Sequence, residues 1–377
     1  MARQTKQVML VVGEASGDVH GANLVKALHR RDASLNIFGV AGEQLRQTDF
    51  EALFNVSQLT GMGLVELAGN VKNIWQAYRI LRDSLKQRKP DLLVLIDFPD
   101  FNLRLARVAK SLRIPVLYYI SPQIWAWRRG RVRQIAHSVD RMAVVFPFEV
   151  DFYRRHGVNV TFVGHPLLET VTASQSREEV LARYGLDPQK KTIALLPGSR
   201  HGEVSRHLPT MMAAAAQMQA TDKVQFFCLR ASTIDAGDLR EMISDATIPI
   251  VEQDRYDAVR AADLVWTASG TATLETALLT RPMVIVYRMS WLTYYIARLL
   301  VRVEHIGMVN LIAGKRLVPE LVQADFNPPR LIAESRRFLS DERLRLAVVE
   351  ELTRLRERLG SPGAANRVAE IALGMIA

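Results

Sequence analysis

The stretch Val8-Met-Leu-Val-Val-Gly-Glu-Ala-Ser-Gly-Asp-Val-His-Gly21 joins five apolar residues to a turn that carries three glycines. An apolar run that ends in a glycine turn and leads into a helical pattern is typical of the first strand and helix of a Rossmann-like sheet. Five more such runs follow in the first half of the chain, at 36–40, 92–96, 115–120, 141–145 and 160–163. Amphipathic segments at 21–31, 71–88 and 103–111 predict crossover helices on both faces of a parallel sheet.

The second half of the chain repeats this alternation. After a pause at Gly164-His-Pro-Leu-Leu, apolar runs return at 192–196, 224–229, 248–251, 264–267 and 282–287. The segments 331–339, 341–359 and 364–376 have the composition of helices. We therefore predict an α/β fold of two facing Rossmann-like domains, with a ligand cleft between them and a helical C-terminus. The predicted boundaries are 1–166, 167–345 and 346–377.

Composition and charge exclude several classes of protein. Of the 377 residues, 49% are hydrophobic and 23% are charged, which excludes disordered and fibrous chains. The single cysteine, Cys228, lies in an apolar run, so we expect a buried thiol and a reducing compartment. The net charge of +10 predicts an anionic partner: nucleic acid, phospholipid headgroups or a phosphorylated substrate. The run 8–12 is too short to span a membrane and charges interrupt 291–313, so we expect a cytoplasmic protein with peripheral membrane contact at most.

Two carboxylates lie in the first glycine turn. Glu14 and Asp18 occupy the loop where a dinucleotide-binding fold would hold pyrophosphate. Their negative charge disfavours phosphate and suits hydrogen bonds to sugar hydroxyls, with Ser16 between them as a further polar group. The alternative is structural, in which Ser16 or Asp18 caps the helix that follows.

A second pair of carboxylates follows the strand at 92–96. Asp97 and Asp100, with Asn102, lie at the carboxyl edge of the predicted sheet, where α/β enzymes hold their ligands. A capped turn, with Asp100 or Asn102 as the N-cap, is the simpler interpretation. For Asp97, which comes directly after an apolar strand, we favour a functional role.

The segment Ser121-Pro-Gln-Ile-Trp-Ala-Trp-Arg-Arg-Gly-Arg-Val-Arg133 combines two tryptophans with four arginines. Aromatic residues interleaved with arginine occur both in nucleic-acid grooves and at membrane interfaces. A third interpretation is an arginine-rich helix face whose tryptophans pack in the core. The segment alone does not choose among RNA, lipid and a structural role.

Two turns of the second domain predict a phosphate site. In Leu195-Leu-Pro-Gly-Ser-Arg200, a strand runs into a Gly-Ser turn whose arginine suits a bidentate grip on a diphosphate. In Thr267-Ala-Ser-Gly-Thr-Ala-Thr-Leu-Glu275, small hydroxyl residues stand at a helix start, and the glutamate one turn later suits the two hydroxyls of a ribose. Either motif alone is also that of a capped helix. Together they predict a nucleoside-diphosphate site formed by Gly198, Ser199, Arg200, Ser269, Gly270, Thr271 and Glu275.

Other polar residues carry less information. Asn310 lies in the apolar segment 307–314, and spacing alone does not assign it a role. No His or Cys spacing is that of a metal site, so we expect neither a metal nor another cofactor.

Six motifs, in order along the chain from Gly13 to Glu275, resemble those of the lipid-A-disaccharide synthase family, and the resemblance continues to about Gly314. They are Gly13-Glu-Ala-Ser-Gly-Asp18, Ile96-Asp-Phe-Pro-Asp-Phe-Asn102, Tyr119-Ile-Ser-Pro-Gln-Ile-Trp-Ala-Trp-Arg128, Phe146-Pro-Phe-Glu149, Leu196-Pro-Gly-Ser-Arg200 and Ala268-Ser-Gly-Thr-Ala-Thr-Leu-Glu275. The resemblance implies the GT-B architecture, with an acceptor-binding and membrane-facing first domain and a UDP-sugar-binding second domain. It implies transfer of the sugar of UDP-2,3-diacylglucosamine to 2,3-diacylglucosamine 1-phosphate with inversion.

The same resemblance implies roles for individual residues. The essential aspartate of the family corresponds to Asp97, which we expect to be the general base. Glu14 and Asp100 are the alternative candidates for this role. Arg200 and the backbone at 269–271 would stabilise the departing UDP, and the family's functional asparagine falls on Asn310. The expected sugar and acceptor contacts are Glu14, Ser16, Asp18, Gln123 and Trp125.

The resemblance also implies partners. Both substrates carry acyl chains, which keep them in the cytoplasmic leaflet of the inner membrane. The candidate surfaces that contact this leaflet are 59–67, the segment 121–133 with its tryptophans and arginines (the Trp/Arg segment), and the helix from Trp291. A homodimer is expected, with the C-terminal helices packed on the first domain or across the dimer. One alternative is another UDP-N-acetylglucosamine enzyme of this architecture, such as a 2-epimerase or the transferase of the lipid-linked peptidoglycan precursor. The other is a non-enzymatic RNA- or membrane-binding protein, which leaves Asp97 and Glu275 without a role.

Overall fold

The fold is described from a computed structural model, which covers residues 5–59, 66–127, 129–243, 245, 247–291, 294 and 305–377. The chain divides into a first unit, Met1–Pro166 with Leu359–Ala377, and a second unit, Leu167–Arg358.

A sheet of seven parallel strands forms the centre of the first unit. Its strands are β1 (Gln7–Val12), β2 (Asn36–Ala41), β3 (Glu51–Asn55), β4 (Leu92–Ile96), β5 (Val116–Tyr119), β6 (Arg141–Val144) and β7 (Val160–Phe162). Their order is β3-β2-β1-β4-β5-β6-β7, so the direction of winding reverses between β1 and β4. The helices along this part of the chain are α1 (Ala15–His29), α2 (Glu43–Arg46), α3 (Glu66–Arg88), α4 (Pro99–Ser111), α5 (Ile124–Trp127), α6 (Val132–Ser138) and α7 (Pro147–Arg154).

The second unit has a parallel sheet of six strands. They are β8 (Lys191–Leu196), β9 (Val224–Leu229), β10 (Ile250–Val251), β11 (Leu264–Ala268), β12 (Met283–Tyr287) and β13 (Glu320–Val322). The order is β10-β9-β8-β11-β12-β13, with the reversal between β8 and β11. The helices from here to the end of the chain are α8 (Leu167–Thr170), α9 (Arg177–Arg183), α10 (His201–Thr221), α11 (Ala236–Ile243), α12 (Arg255–Ala261), α13 (Thr271–Leu278), α14 (Met308–Ala313), α15 (Pro328–Ser340), α16 (Glu342–Arg358) and α17 (Ala364–Ile376). Single 3-10 turns occur at Val56–Gln58, Arg129–Arg131 and Gln323–Asp325.

The prediction of two Rossmann-like sheets and a helical C-terminus is confirmed. The predicted apolar runs coincide with strands because both faces of these parallel sheets are covered, and all five residues of β4 are fully buried. Cys228 is a buried free thiol, as expected. Helix α16 lies wholly in the second unit, whereas the sequence had placed a boundary after residue 345. Helix α17 packs on α1, where Arg31 and Glu370 form an ion pair at 2.5 Å.

The expectation of a turn with three glycines is wrong for two of them. Helix α1 already begins at Ala15, so Gly17 and Gly21 lie inside it. A Cβ at Gly21 would come within 3.1 Å of Leu45 and Val12, so this glycine allows the helix to lie close to the sheet.

Candidate active site

The reversal of the first sheet brings two predicted site residues together. Strands β1 and β4 are parallel neighbours, and Val12 is paired with Ile96. Glu14 and Asp97 therefore follow adjacent strand ends, and the charge of Glu14 acts on the Asp97 carboxyl. A Cβ at Gly13 would lie 2.1 Å from the side chain of Phe98, so only glycine fits between the two turns.

The turn at Asp97 is held in an unusual conformation by buried groups. Asp97 and Phe98 both have φ of +49°, in the left-handed region that non-glycine residues seldom adopt. The Asp97 carbonyl oxygen accepts hydrogen bonds from Asn102 Nδ2 at 2.7 Å and from the Tyr118 hydroxyl at 2.5 Å. Asn102 is fully buried, and Tyr118 comes from the adjacent strand β5. These donors fix the backbone from which the Asp97 carboxylate projects.

The Asp97 carboxyl is also tuned electrostatically. Burial raises its pKa from 3.8 to about 6, and the nearby charge of Glu14 adds to the increase. The backbone N–H of Phe98 donates a hydrogen bond to this carboxyl and opposes the rise in pKa. A carboxylate with a pKa close to the working pH can take a proton from a hydroxyl group in the transition state.

Asp18 holds the backbone of a neighbouring helix. Its side chain is 3% exposed, and its oxygens accept hydrogen bonds from the backbone N–H groups of Gly42, Gln44 and Leu45 at 2.7, 2.7 and 3.2 Å. These bonds satisfy the N-terminus of α2. These contacts favour the structural alternative for Asp18, and its contact with a sugar stays a prediction. Ser16, in the first turn of α1, is exposed.

Asp100 does not share the environment of Asp97. Its carboxylate is 65% exposed and forms an ion pair with Arg131. It also lies in the first turn of α4, where the positive end of the helix favours a negative charge. Because Asp100 has this structural role, it is a weaker candidate for the general base than Glu14.

The Trp/Arg segment is anchored by a residue to which the sequence assigned no role. Glu149 is 1% exposed and accepts hydrogen bonds from the Ser121 hydroxyl and from Trp125 Nε1, the latter at 3.2 Å. Burial raises its pKa to about 7. Trp125 is therefore buried and hydrogen-bonded, whereas Gln123 is exposed, and the sugar contacts expected of both residues stay predictions. The only sequence signal for Glu149 is its place in Phe146-Pro-Phe-Glu149 at the start of α7.

The reversal of the second sheet brings the two predicted phosphate motifs onto adjacent strands. Strand β8 pairs with β11, and the turns at 197–200 and 269–271 follow their carboxyl ends. Gly198 has φ of +135°, and a Cβ there would lie 2.8 Å from Glu203. The Arg200 side chain is 71% exposed and is 3.7 Å from the Glu203 carboxylate. Such an arginine can turn toward a bound anion with little rearrangement.

The turn before α13 presents a helix N-terminus. Gly270, with φ of +146°, and Thr271 are both exposed at this end of the helix. One turn later Glu275 is 9% exposed, accepts from Tyr256 at 3.2 Å and pairs with Arg255 at 2.5 Å. Ser269 donates to the Ile306 carbonyl at 3.2 Å. The residues expected to bind the phosphate and the residue expected to bind the ribose therefore lie in the same strand-to-helix connection.

Asn310 makes its hydrogen bonds within the second unit. It is fully buried, its Oδ1 accepts from the N–H groups of Leu317 and Val318, and its Nδ2 donates to Val318 and to Glu320 Oε1. The Glu320 carboxylate in turn accepts from the N–H groups of Ile306 and Gly307. In this structure Asn310 therefore stabilises the segment whose carbonyl accepts the Ser269 hydroxyl, and its expected contact with UDP stays a prediction.

Several surface expectations fall on residues that the structure does not describe. These are positions 60–65, the side chains of 66 and 67, Arg128, the side chains of 126, 127 and 129, and most of 292–304. Within the described ranges, no helix is long and apolar enough to cross a membrane. The same residues contain no group of three His, Cys, Asp or Glu side chains that could hold a metal ion.

Comparison with known proteins extends these observations to nearly the whole chain. A family model described as lipid-A-disaccharide synthetase matches residues 8–372. The lipid-A-disaccharide synthase of Syntrophus aciditrophicus is 48% identical over 376 residues, covering 99% of this chain and 98% of that protein. Among solved structures, the glycotransferase of kitacinnamycin aligns with a TM-score of 0.68 at 14% identity, with full coverage of both chains. MurG of Acinetobacter baumannii aligns with a TM-score of 0.62 at 16% identity, over 98% of this chain and 99% of that one. These likenesses show the fold, which is the predicted GT-B architecture.

Proposed function

The chain belongs to the lipid-A-disaccharide synthase family, and from that membership we propose that it joins two acylated sugars as an inverting glycosyltransferase. UDP-2,3-diacylglucosamine donates its sugar to the 6-hydroxyl of 2,3-diacylglucosamine 1-phosphate. The products are UDP and a β-1,6-linked disaccharide 1-phosphate. The observation that carries the chemistry is the partly buried Asp97 carboxyl, whose pKa is raised to about 6 by burial and by the charge of Glu14.

Asp97 acts as the general base. An α-linked donor that gives a β-linked product requires one in-line displacement, in which the acceptor oxygen attacks the anomeric carbon as the bond to UDP breaks. The proton of the 6-hydroxyl passes to the Asp97 carboxylate during the attack. Its burial and the left-handed turn that Asn102 holds support this role, because an aimed and partly desolvated carboxylate is a stronger base. Glu14 keeps the pKa of Asp97 high.

The second unit binds the UDP part of the donor. Negative charge develops on the diphosphate as the sugar leaves, and Arg200 is the exposed cation of the β8 turn. The N–H groups at the start of α13 add the positive end of a helix dipole. Glu275 accepts from the ribose hydroxyls, and Arg255 and Tyr256 already hold its carboxylate in place. These groups supply the charge stabilisation without a metal ion.

The enzyme works at a membrane surface. Acyl chains keep both substrates in the bilayer, so a cytoplasmic enzyme must reach the inner leaflet. The net charge of +10 favours anionic lipid, and the exposed Trp75, with Arg79 stacked over its ring, is suited to an interface. Trp291, the first residue of one of the expected contact segments, is 62% exposed. The homodimer implied by the resemblance stays a prediction.

Product formation from radiolabelled donor and acceptor in detergent with EDTA tests the proposal. At a donor concentration below the wild-type KM, wild type forms the disaccharide, Asp97→Ala forms none and Arg200→Ala forms less by about tenfold or more, with the circular dichroism spectra of both variants unchanged. Calorimetry separates the roles: Asp97→Ala still binds UDP, and Arg200→Ala binds it weakly. Folded wild type that binds UDP but forms no disaccharide would be a different UDP-sugar enzyme. Absence of UDP binding, with salt-sensitive RNA binding instead, would contradict a glycosyltransferase.

A further inference from the structure

His207 is a buried titratable residue that the proposed mechanism does not use. It lies on α10, the helix that follows the Gly198-Ser-Arg200 turn, and its side chain is fully buried. Nδ1 is 2.7 Å from the Pro197 carbonyl oxygen, and Nε2 accepts the backbone N–H of Arg288 at 2.9 Å. The ring thus joins the turn after β8 to the residue that follows β12.

These contacts define the state of the imidazole. A carbonyl oxygen only accepts and an N–H only donates, so Nδ1 carries the proton and Nε2 does not. A doubly protonated ring would lose the bond to Arg288. Burial lowers the pKa of His207, which favours the neutral ring. The ring is also confined by Tyr287 and Phe326, whose centroids lie 5.9 and 5.8 Å away.

In the Pro197–Arg200 turn, the backbone after Pro197 is held by hydrogen bonds to Ser199. Glu203 accepts the N–H of Ser199 at 3.3 Å, and Thr233 donates to the Ser199 carbonyl at 2.5 Å. Among the described contacts of this turn, the His207 bond is the one that holds its first residue. The position of Pro197 decides where Gly198 and Arg200 stand at the end of β8.

We propose that His207 is a positioning residue for the donor, which holds the Pro197–Arg200 turn where it grips the diphosphate of a nucleotide sugar. This inference rests on the proposed function, since it deepens the role of the same turn. His207 itself touches no substrate. Its contribution therefore concerns affinity for the nucleotide and not for the acceptor.

Two substitutions of similar size separate positioning from simple stability. In His207→Asn, the amide nitrogen takes the place of Nδ1 and still donates to Pro197. In His207→Gln, the longer amide reaches the place of Nε2, accepts from Arg288 and leaves Pro197 without its donor. Each variant loses one buried hydrogen bond, so we expect their melting temperatures to fall alike. The KM for the donor and the Kd for UDP are measured for both variants, with the KM for the acceptor as the internal control.

We expect His207→Gln to raise the donor KM and the UDP Kd about tenfold, equivalent to ~1.4 kcal/mol. In His207→Asn we expect the donor KM and the UDP Kd to stay within about threefold of the wild-type values. The acceptor KM is expected to be unchanged in both variants. Equal effects of the two variants on the donor, or equal effects on donor and acceptor, would overturn the proposal. Long-range proton–nitrogen NMR of wild type gives a second readout, because a protonated Nε2 between about pH 6 and 8 would also contradict it. Wild type that fails to bind UDP would instead refute the proposed function.

Discussion

Asp97→Asn is expected to make the protein more stable as it abolishes activity. The pKa of the Asp97 carboxyl rises from 3.8 to about 6 in the folded protein, so the folded chain binds the proton more tightly than the unfolded chain. For a carboxyl shifted in this direction, stability falls as the pH rises through the interval between the two values. Above that interval, the ionised carboxylate opposes folding by the full amount. Asparagine has the shape of the neutral acid and carries no charge.

The magnitude follows from the two pKa values. Each pH unit between them corresponds to about 1.4 kcal/mol, so we expect the variant to gain about 3 kcal/mol at pH 7.5. At pH 5 most of the Asp97 carboxyl of the folded wild type is protonated, and the gain falls to roughly half of that at pH 7.5. The backbone does not oppose the change, because asparagine tolerates the left-handed φ of +49° better than most residues.

Urea denaturation followed by circular dichroism measures this effect at both pH values. With m at about 3 kcal/mol/M, a gain of about 3 kcal/mol moves the midpoint by roughly 1 M. The matched control is Asp83→Asn, whose exposed carboxylate pairs with Arg82 and should change stability by less than about 0.5 kcal/mol at either pH. A variant no more stable than wild type at pH 7.5 would refute the burial of charge at Asp97. A gain that is equal at both pH values would assign the effect to the backbone instead.

Three further substitutions test other parts of the site. Arg200→Ala should raise the donor KM by about tenfold to a hundredfold in steady-state kinetics and leave the acceptor KM unchanged, because a charged partner of the diphosphate is lost. Asp18→Ala should lower thermal stability by ~1–3 kcal/mol with kcat unchanged, since three N–H groups lose their acceptor; a large fall in kcat would instead support the predicted sugar contact of Asp18. Asn310→Ala should destabilise by ~3–4 kcal/mol in denaturant titrations and weaken UDP binding through the segment at Ile306, whereas weaker binding without destabilisation would indicate direct contact.

The central strands could be predicted because their environment is uniform. Buried parallel strands have apolar neighbours on both faces, so Val8–Val12 and Leu92–Ile96 are continuous apolar runs. The strands that the sequence analysis missed, β3 and β13, lie at sheet edges, and they begin with the charged residues Glu51 and Glu320. Such strands are short and partly polar because one side faces no neighbouring strand.

The candidate site was predictable where its residues follow strand ends. Glu14, Asp97 and Arg200 are found from their distance to an apolar run, and the parallel topology then brings the first two together. The roles of Asp18 and Asn310 depend on backbone groups whose approach only the folded chain creates. In the sequence, a polar residue that accepts a hydrogen bond from a backbone group far along the chain looks the same as a polar residue that binds a ligand.

Residues inside helices were the hardest to predict. His207 lies in α10 and Glu149 in α7, two helices that the sequence analysis did not predict, and no sequence pattern there indicates a buried polar contact. Their partners are Pro197 and Arg288 in one case and Ser121 and Trp125 in the other. Helical periodicity places such residues on an inward face but does not name the polar atoms that they meet there.

The pH dependence of kcat/KM in wild type and Glu14→Gln tests the role of Asp97 most directly. In wild type we expect activity to fall below about pH 6, where the Asp97 carboxylate becomes protonated. Removing the Glu14 charge lowers that pKa while burial keeps it above 3.8, so the fall moves to a pH between these values. If kcat/KM of Glu14→Gln falls at the same pH as that of wild type, the fall is caused by protonation of the acceptor's own phosphate, which titrates near pH 6. Loss of the pH dependence in Glu14→Gln would contradict the account and identify Glu14 as the base.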